Sequence, residues 1–262
     1  MIKKITSLEN REVKRVIKLY NKSKLRRESR SFIVEGKREI KLAFENGFQL
    51  EKIYFNPNII ERNRVIDEFG SDLIEVNNDV YSKISLRNTT EGIVAIVNEK
   101  KNISNLNTGN KNLVLVLDGV EKPGNLGAIF RSCDAANVDL IILTNQKCDL
   151  YNPNIIRSSL GTVFTQNIIQ LKTNDALNLL KKHHFSIFAT SLKATKNYDS
   201  VSYDQSTAIV VGSENLGISL FWQKNSDNLI KIPMLGSIDS LNVSVSAALT
   251  LFEVNRQNKF NR

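Results

Sequence analysis

The chain has little of the two residue types on which most metal and redox sites depend. Its 262 residues include 2 cysteines and 2 histidines. Cys133 and Cys148 do not form a C-x-x-C pair, which argues against a disulfide scaffold or a zinc site and fits a reducing compartment. His183 and His184 are adjacent. Neighbouring side chains on a helix diverge, so the pair does not converge on a metal, and no metal is expected. Long apolar runs are missing too. None approaches the ~18 residues of a membrane span, so no membrane partner is expected. Met1-Ile2-Lys3-Lys4-Ile5-Thr6 is not followed by the apolar block of a secretory signal, and a cytoplasmic location is the expectation. There is no G-x-G-x-x-G after a strand. Gly124-Asn125-Leu126-Gly127 has another spacing, which argues against a dinucleotide-binding oxidoreductase.

What remains is an ordinary globular composition, 41% hydrophobic and 24% charged, in a chain long enough for a sizeable core or for two domains. Its net charge of +9 is unevenly spread. Residues 1–112 carry 22 Lys and Arg against 15 Asp and Glu, and residues 113–262 carry 14 against 12. The excess concentrates near the start of the chain. A helix over residues 7–23 is expected from Leu8, Val13, Val16, Ile17 and Tyr20, with Lys14 and Lys18 among its basic residues. The basic connection Lys24-Leu25-Arg26-Arg27-Glu28-Ser29-Arg30 follows. A basic patch on one module is the footprint of a nucleic-acid partner, because phosphate contacts release counterions. Lys14, Lys18, Arg26, Arg27 and Arg30 are therefore the candidate RNA contacts.

Short strand-like and helix-like runs then alternate. The spacing predicts helices over 37–46, 59–69 and 79–86, and strands over 32–34, 50–55, 73–76 and 92–97. Residues 1–98 thus read as a small α/β domain. Residues 99–112, rich in Asn, Lys, Ser and Thr, read as a linker. From 113 to 262 the alternation is more regular, and a parallel sheet flanked by helices is expected. Its strands are placed at 113–117, 140–143, 163–166, 187–190, 208–211 and 229–232. Its helices are placed at 125–136, 155–160, 175–183 and from about Asn242, where Val245, Ala248, Leu249 and Phe252 recur at helical spacing.

Three segments of this second domain stand out. Asp118-Gly119-Val120-Glu121-Lys122-Pro123-Gly124-Asn125-Leu126-Gly127-Ala128-Ile129-Phe130-Arg131-Ser132-Cys133 leaves an apolar run and starts a helix. Val211-Gly212-Ser213-Glu214-Asn215-Leu216-Gly217-Ile218 opens from a strand into a small-residue loop. Ile232-Pro233-Met234-Leu235-Gly236-Ser237-Ile238-Asp239-Ser240-Leu241-Asn242-Val243-Ser244 does the same and leads into the last helix. Small-residue loops at strand ends make a floor on which a ligand meets backbone groups.

In this order and at this spacing the three segments resemble the motifs of the SpoU/TrmH family of RNA ribose 2′-O-methyltransferases, within the SPOUT superfamily. The resemblance implies a C-terminal SPOUT-type parallel sheet with a deep trefoil knot. It also implies an N-terminal substrate-binding domain similar to an RNA-binding ribosomal protein. It implies S-adenosyl-L-methionine as cofactor, a homodimer through the C-terminal domain, and RNA as partner, with ribosomal RNA ahead of transfer RNA. A non-catalytic RNA-binding or ribosome-associated protein is the alternative. Carried over residue by residue, Arg131, Asn125, Glu214 and Asn242 are the catalytic candidates. Thr190, Leu192, Gly212, Ile232, Met234 and Leu241 are the cofactor-binding candidates. A guanidinium stays protonated, so Arg131 is expected to grip an RNA phosphate and polarise the hydroxyl rather than act as a simple base. Glu214 is expected to orient Arg131 or to accept from Asn125. Asn242 and Ser240 are expected near the ribose or cofactor, with helix capping as their ordinary alternative. Asn137 stands where similar proteins often carry Gly, and Asn also tolerates the left-handed conformation.

Overall fold

A computed structural model describes residues 3–70, 73–86, 91–100, 112–203 and 206–259. The chain divides into two units, one of residues 1–101 with 149–165, the other of 102–148 with 166–262. Most of the expected linker, residues 101–111, lies outside the described residues.

The first unit opens with β1 (Lys3–Ile5), α1 (Arg11–Asn21), α2 (Ser23–Ser29), β2 (Ser31–Glu35), α3 (Lys37–Glu45) and β3 (Gln49–Phe55). It continues with α4 (Arg62–Phe69), β4 (Leu73–Val76), α5 (Asn78–Ile84) and β5 (Ile93–Asn98). The sheet order is β1-β4-β3-β5-β2. Strands β1, β4 and β3 run parallel, while β5 lies antiparallel to both of its neighbours. The first helix starts later than its apolar spacing suggests, because Asn10 caps it by accepting from the Glu12 amide. Val13, Val16 and Leu19 form its buried stripe against the sheet.

Two expectations are corrected here. The basic connection at 24–30 is helical, as α2, and ends at Arg30 in the left-handed conformation. Arg26 is not an RNA contact. Its side chain is 3% exposed and donates to Asp149 Oδ2 at 2.6 Å and to the carbonyls of Leu19 and Tyr20 at 2.5 and 2.8 Å. Three of its five N–H donors are spent on these buried acceptors, and burial keeps the guanidinium away from any phosphate. Lys14 is paired with Glu9. The side chains of Lys18 and Arg27 are exposed and make no hydrogen bond or ion pair among the described residues, and exposed Arg30 lies beside the Glu99 carboxylate.

The segment that supplies Asp149 was expected in the second domain, yet it packs in the first unit. It carries α7 (Pro153–Ser158) and a one-turn 3-10 helix at Thr162–Phe164, where a strand over 163–166 was expected. Tyr151 stacks on Phe32 with centroids 4.2 Å apart, and Phe164 meets Phe48 at 5.1 Å. The apolar run at 163–164 is buried in this aromatic cluster instead of pairing as a strand.

The second unit comprises β6 (Leu113–Asp118), α6 (Pro123–Ala135), β7 (Leu140–Thr144), β8 (Ile168–Gln170), α8 (Thr173–Lys182) and β9 (Ser186–Thr190). Then come β10 (Lys196–Asn197), β11 (Thr207–Gly212), α9 (Leu220–Asn225), β12 (Asn228–Lys231) and α10 (Val243–Gln257). All seven strands are parallel, in the order β10-β12-β9-β11-β6-β7-β8. Every residue of β6 and β11 is buried, as a continuous apolar run covered on both faces requires. Val114, Val116, Ala208 and Val210 pack with Ala176, Leu177 and Leu180 of α8 and with Trp222. Each fully buried Val or Leu contributes about 1.5–3 kcal/mol relative to exposure. Helix α10 packs on α6 and β11. Between them, Asn137 adopts φ +50° at the end of α6, the conformation expected of it. The chain builds outward from β6 to β7 and β8, then returns to lay β9 and β11 on the other side of β6. That reversal is a topological switch, and ligands of parallel sheets sit at the strands' C-terminal ends there. Among the described residues, no helix is long and apolar enough to cross a membrane.

Candidate active site

The loops leaving β9, β11 and β12, with the segment entering α10, enclose a cavity of about 390 Å³. Small-molecule sites commonly measure about 300–1,000 Å³. All six cofactor candidates line it: Thr190, Leu192, Gly212, Ile232, Met234 and Leu241. Ser240 lines it too. Backbone comes close to backbone in this wall at Gly212. A Cβ there would stand 2.0 Å from the carbonyl carbon of Gly217 and 2.2 Å from the Ile218 nitrogen. Only glycine lets the loop fold back so closely. Reciprocal backbone bonds close the turn, Ser213 N to Gly217 O at 3.1 Å and Gly217 N to Ser213 O at 2.9 Å, with Gly217 at φ +64°. A Gly212→Ala variant is therefore expected to push the loop outward and weaken methyl-donor binding. It should also lower stability by about 1–3 kcal/mol, the usual cost of overpacking. Calorimetric titration beside thermal unfolding checks both, and wild-type affinity would contradict the close-approach argument.

Beside the cavity the three motifs meet. Glu214 Oε1 accepts from Asn125 Nδ2 at 2.6 Å and from Asn242 Nδ2 at 2.6 Å. Its other oxygen takes the Lys122 ammonium. Asn242 Nδ2 also reaches Asn125 Oδ1 at 3.2 Å, and Asn242 Oδ1 accepts from the Ser244 amide at 2.9 Å and the Ser244 hydroxyl at 2.6 Å. A carboxylate only accepts, so Glu214 fixes which way both amides face. Asn242 is thus helix cap and network member at once. Glu214 was expected to orient Arg131 or to accept from Asn125. It does the second, and a lysine absent from the sequence reading holds its other oxygen.

Arg131 does not join this cluster. It is exposed on α6, makes no hydrogen bond or ion pair among the described residues, and does not line the cavity. Cys133 on the same helix is buried, and burial pushes its thiol up, so it stays protonated and inert.

The hydrogen bond from Lys122 holds the Glu214 carboxyl below its ordinary value of 4.5, aided by Asn125 and opposed by partial burial. A lowered carboxyl pKa means the ionised network is intact above 4.5 and is lost only as pH falls below that value. Carbon NMR of labelled Glu214 should show its titration midpoint under 4.5, moving upward in Lys122→Met. A midpoint at or above the ordinary value would contradict this.

Residues 112–252 match the SpoU rRNA Methylase family, and residues 10–95 match the MRM3-like substrate binding domain. The chain belongs to the SpoU rRNA methylase family. It is an S-adenosylmethionine-dependent RNA 2′-O-methyltransferase, as the motifs implied. It is 28% identical over 261 residues to the 23S rRNA (guanosine(2553)-2′-O)-methyltransferase RlmP of Bacillus subtilis, covering 97% of this chain and 99% of that one. A crystal structure of an RNA 2′-O ribose methyltransferase matches at TM-score 0.85 and 34% identity over 98% of this chain and 99% of that one. An AdoMet-bound rRNA methyltransferase from Sinorhizobium meliloti matches at TM-score 0.87 and 28% identity, over 97% and 98%.

Lys122 escaped the sequence reading; it gave no signal, because its partner Glu214 lies in a loop distant in the chain.

Proposed function

We propose that the enzyme methylates a ribose 2′-hydroxyl in ribosomal RNA, with residues 1–98 holding the RNA, 99–112 as linker and 113–262, apart from the 149–165 segment that packs in the first unit, carrying out the transfer. The observation that carries this reading is the meeting of Asn125, Glu214 and Asn242 at the cavity lined by Gly212, Met234 and Leu241. Thr190, Leu192, Gly212, Ile232, Met234 and Leu241 would hold S-adenosylmethionine, chiefly through backbone groups. The bound donor supplies a methyl group on a cationic sulfur, and the remaining work falls to the chain. Glu214 holds the Asn125 amide so that its second N–H points a donor at the ribose hydroxyl. Position and alignment of this kind contribute more than any single strong contact. Arg131, whose side chain has no partner among the described residues, grips the adjacent phosphate as a planar fork. Lys18, Arg27 and Arg30 add phosphate contacts on the first unit. A cytoplasmic location goes with this substrate.

A homodimer belongs to the same reading. Val245, Leu249 and Phe252 form an apolar stripe on α10 that is 45%, 38% and 41% exposed. These are three of the four residues whose spacing announced the helix, and their stripe faces away from the core. Such a stripe is a docking face for a second copy. The deep trefoil knot is also proposed, supported by β11 lying between β9 and β6 with α10 against it. Leu249→Lys with Phe252→Glu should convert the dimer to monomer in light scattering after size exclusion. An unchanged mass would sink the interface.

The substrate is tested by mapping ribose methylations in cellular RNA with and without the gene. A single ribosomal-RNA ribose losing its methyl group supports the reading. Loss confined to transfer RNA, or no loss, overturns the substrate assignment.

A further inference from the structure

We infer that Asp118 is a positioning residue for the methyl-donor site, acting through the Ser219 amide to hold the loop that carries Glu214. It rests on the reading of the cavity as that site. Asp118 ends β6 and is 3% exposed. It neither lines the cavity nor touches Glu214. Its Oδ1 accepts from Thr144 Oγ1 at 3.1 Å and from Asn145 Nδ2 at 2.8 Å, and its Oδ2 accepts from the Ser219 N–H at 2.7 Å. It makes no ion pair among the described residues. Buried carboxylates are ordinarily matched to a cation, because an unpaired charge is costly to desolvate. Here three neutral donors from two other segments do that work.

The partners show what the carboxylate is for. Oδ1 joins β6 to the end of β7, strands already paired along their ladder, Asp118 opposite Thr144. Oδ2 reaches across to the far end of the 213–218 loop, where no ladder exists. Ser219 precedes α9, and its own hydroxyl is buried with no partner among the described residues, so its backbone N–H is the group that ties this point to β6. The Ser213–Gly217 turn fixes the base of the loop, and at its exit the Asp118–Ser219 bond ties it to β6 while Gln223 Nε2 donates to the Ile218 carbonyl at 3.2 Å. Between them run Glu214, which orders two asparagines, and Ile218, which walls the cavity. Gly119, at φ +69° with its N–H on Thr144 O at 2.9 Å, then turns the chain toward Lys122 and Asn125. Asp118 therefore stands at the root of both loops that meet at Glu214. Releasing its Ser219 bond frees one loop and leaves the sheet in place.

The test uses the full-length enzyme. S-adenosylmethionine affinity is measured by calorimetry for wild type, Asp118→Ala, Ser219→Pro and Thr144→Val, with hydrogen exchange followed at residues 213–219. Ser219 sits at φ −63°, which proline adopts, so that variant deletes the N–H at little backbone cost. Asp118→Ala and Ser219→Pro should each raise the Kd about tenfold, the scale of one hydrogen bond to a charged group, and speed exchange in the loop while β6 and β11 stay protected. Thr144→Val, which removes only an Oδ1 partner, should leave the Kd within about twofold. Should Asp118→Ala fail to fold, Ser219→Pro decides alone. Wild-type Kd and loop exchange in a folded Ser219→Pro or Asp118→Ala, or an equal loss in Thr144→Val, overturns the inference. Absence of binding by the wild type would instead overturn the reading of the cavity.

Discussion

Glu214→Gln is expected to lower kcat by about 10²–10³, the cost of removing a preorganised polar group from a reaction site. The side chains are nearly the same size, so the loop and its Gly212 contact survive. The polarity does not. Glu214 offers acceptors on both sides, two amides on Oε1 and the Lys122 ammonium on Oε2. A glutamine amide has one acceptor and one donor. Placed one way, its N–H₂ opposes Lys122; placed the other, it opposes Asn125 and Asn242. Either arrangement rotates an asparagine away from its present hydrogen bonds. Single-turnover methyl transfer to RNA isolates this step from product release. Because Gly212 and Ile218 keep the cavity wall, donor Kd should change much less than kcat. A kcat within about fivefold of wild type would show that the cluster is scaffolding rather than part of the reaction.

Arg26→Leu is expected to cost about 3–5 kcal/mol of stability, more than any other single change considered. Breaking a buried ion pair leaves the other charge stranded. Asp149 and Arg26 are 7% and 3% exposed, and the guanidinium also serves the Leu19 and Tyr20 carbonyls at the end of α1. Its loss strips partners from an anion and two backbone groups together. A second substitution, Asp149→Leu, should restore part of the loss, since an apolar pair of similar volume avoids the stranded charge. Differential scanning calorimetry of the two single variants and the double variant measures the coupling. A loss under about 1 kcal/mol in Arg26→Leu would mean that the pair behaves like a surface contact.

Arg26 also shows where reading the sequence alone misleads. In the chain it is one of four arginines and lysines in a seven-residue basic run, indistinguishable from Arg27. The difference is one residue step, about 100° around the helix: Arg26 faces inward toward a carboxylate more than a hundred residues away, and Arg27 faces out. The same limit explains the apolar run at 163–164, buried among Phe32 and Phe48, and the stripe on α10, whose spacing announced the helix but not its outward face. Periodicity reports that one face is apolar and does not report what covers it.

The amino-acid order by itself determined the alternation of strands and helices, the parallel sheet and the three loop motifs, and the family resemblance of those motifs pointed to six of the residues that line the cavity. These are local properties: continuous apolar runs, small residues where backbone must approach, and caps before helices. Tertiary structure alone decided that Lys122 and not Arg131 holds Glu214, that Asp118 ties the loop exit, and that residues 149–165 pack in the first unit. Each of those depends on which distant segments the strand order β9-β11-β6-β7 brings together. A side chain's partner across the sheet leaves no trace in its neighbours along the chain.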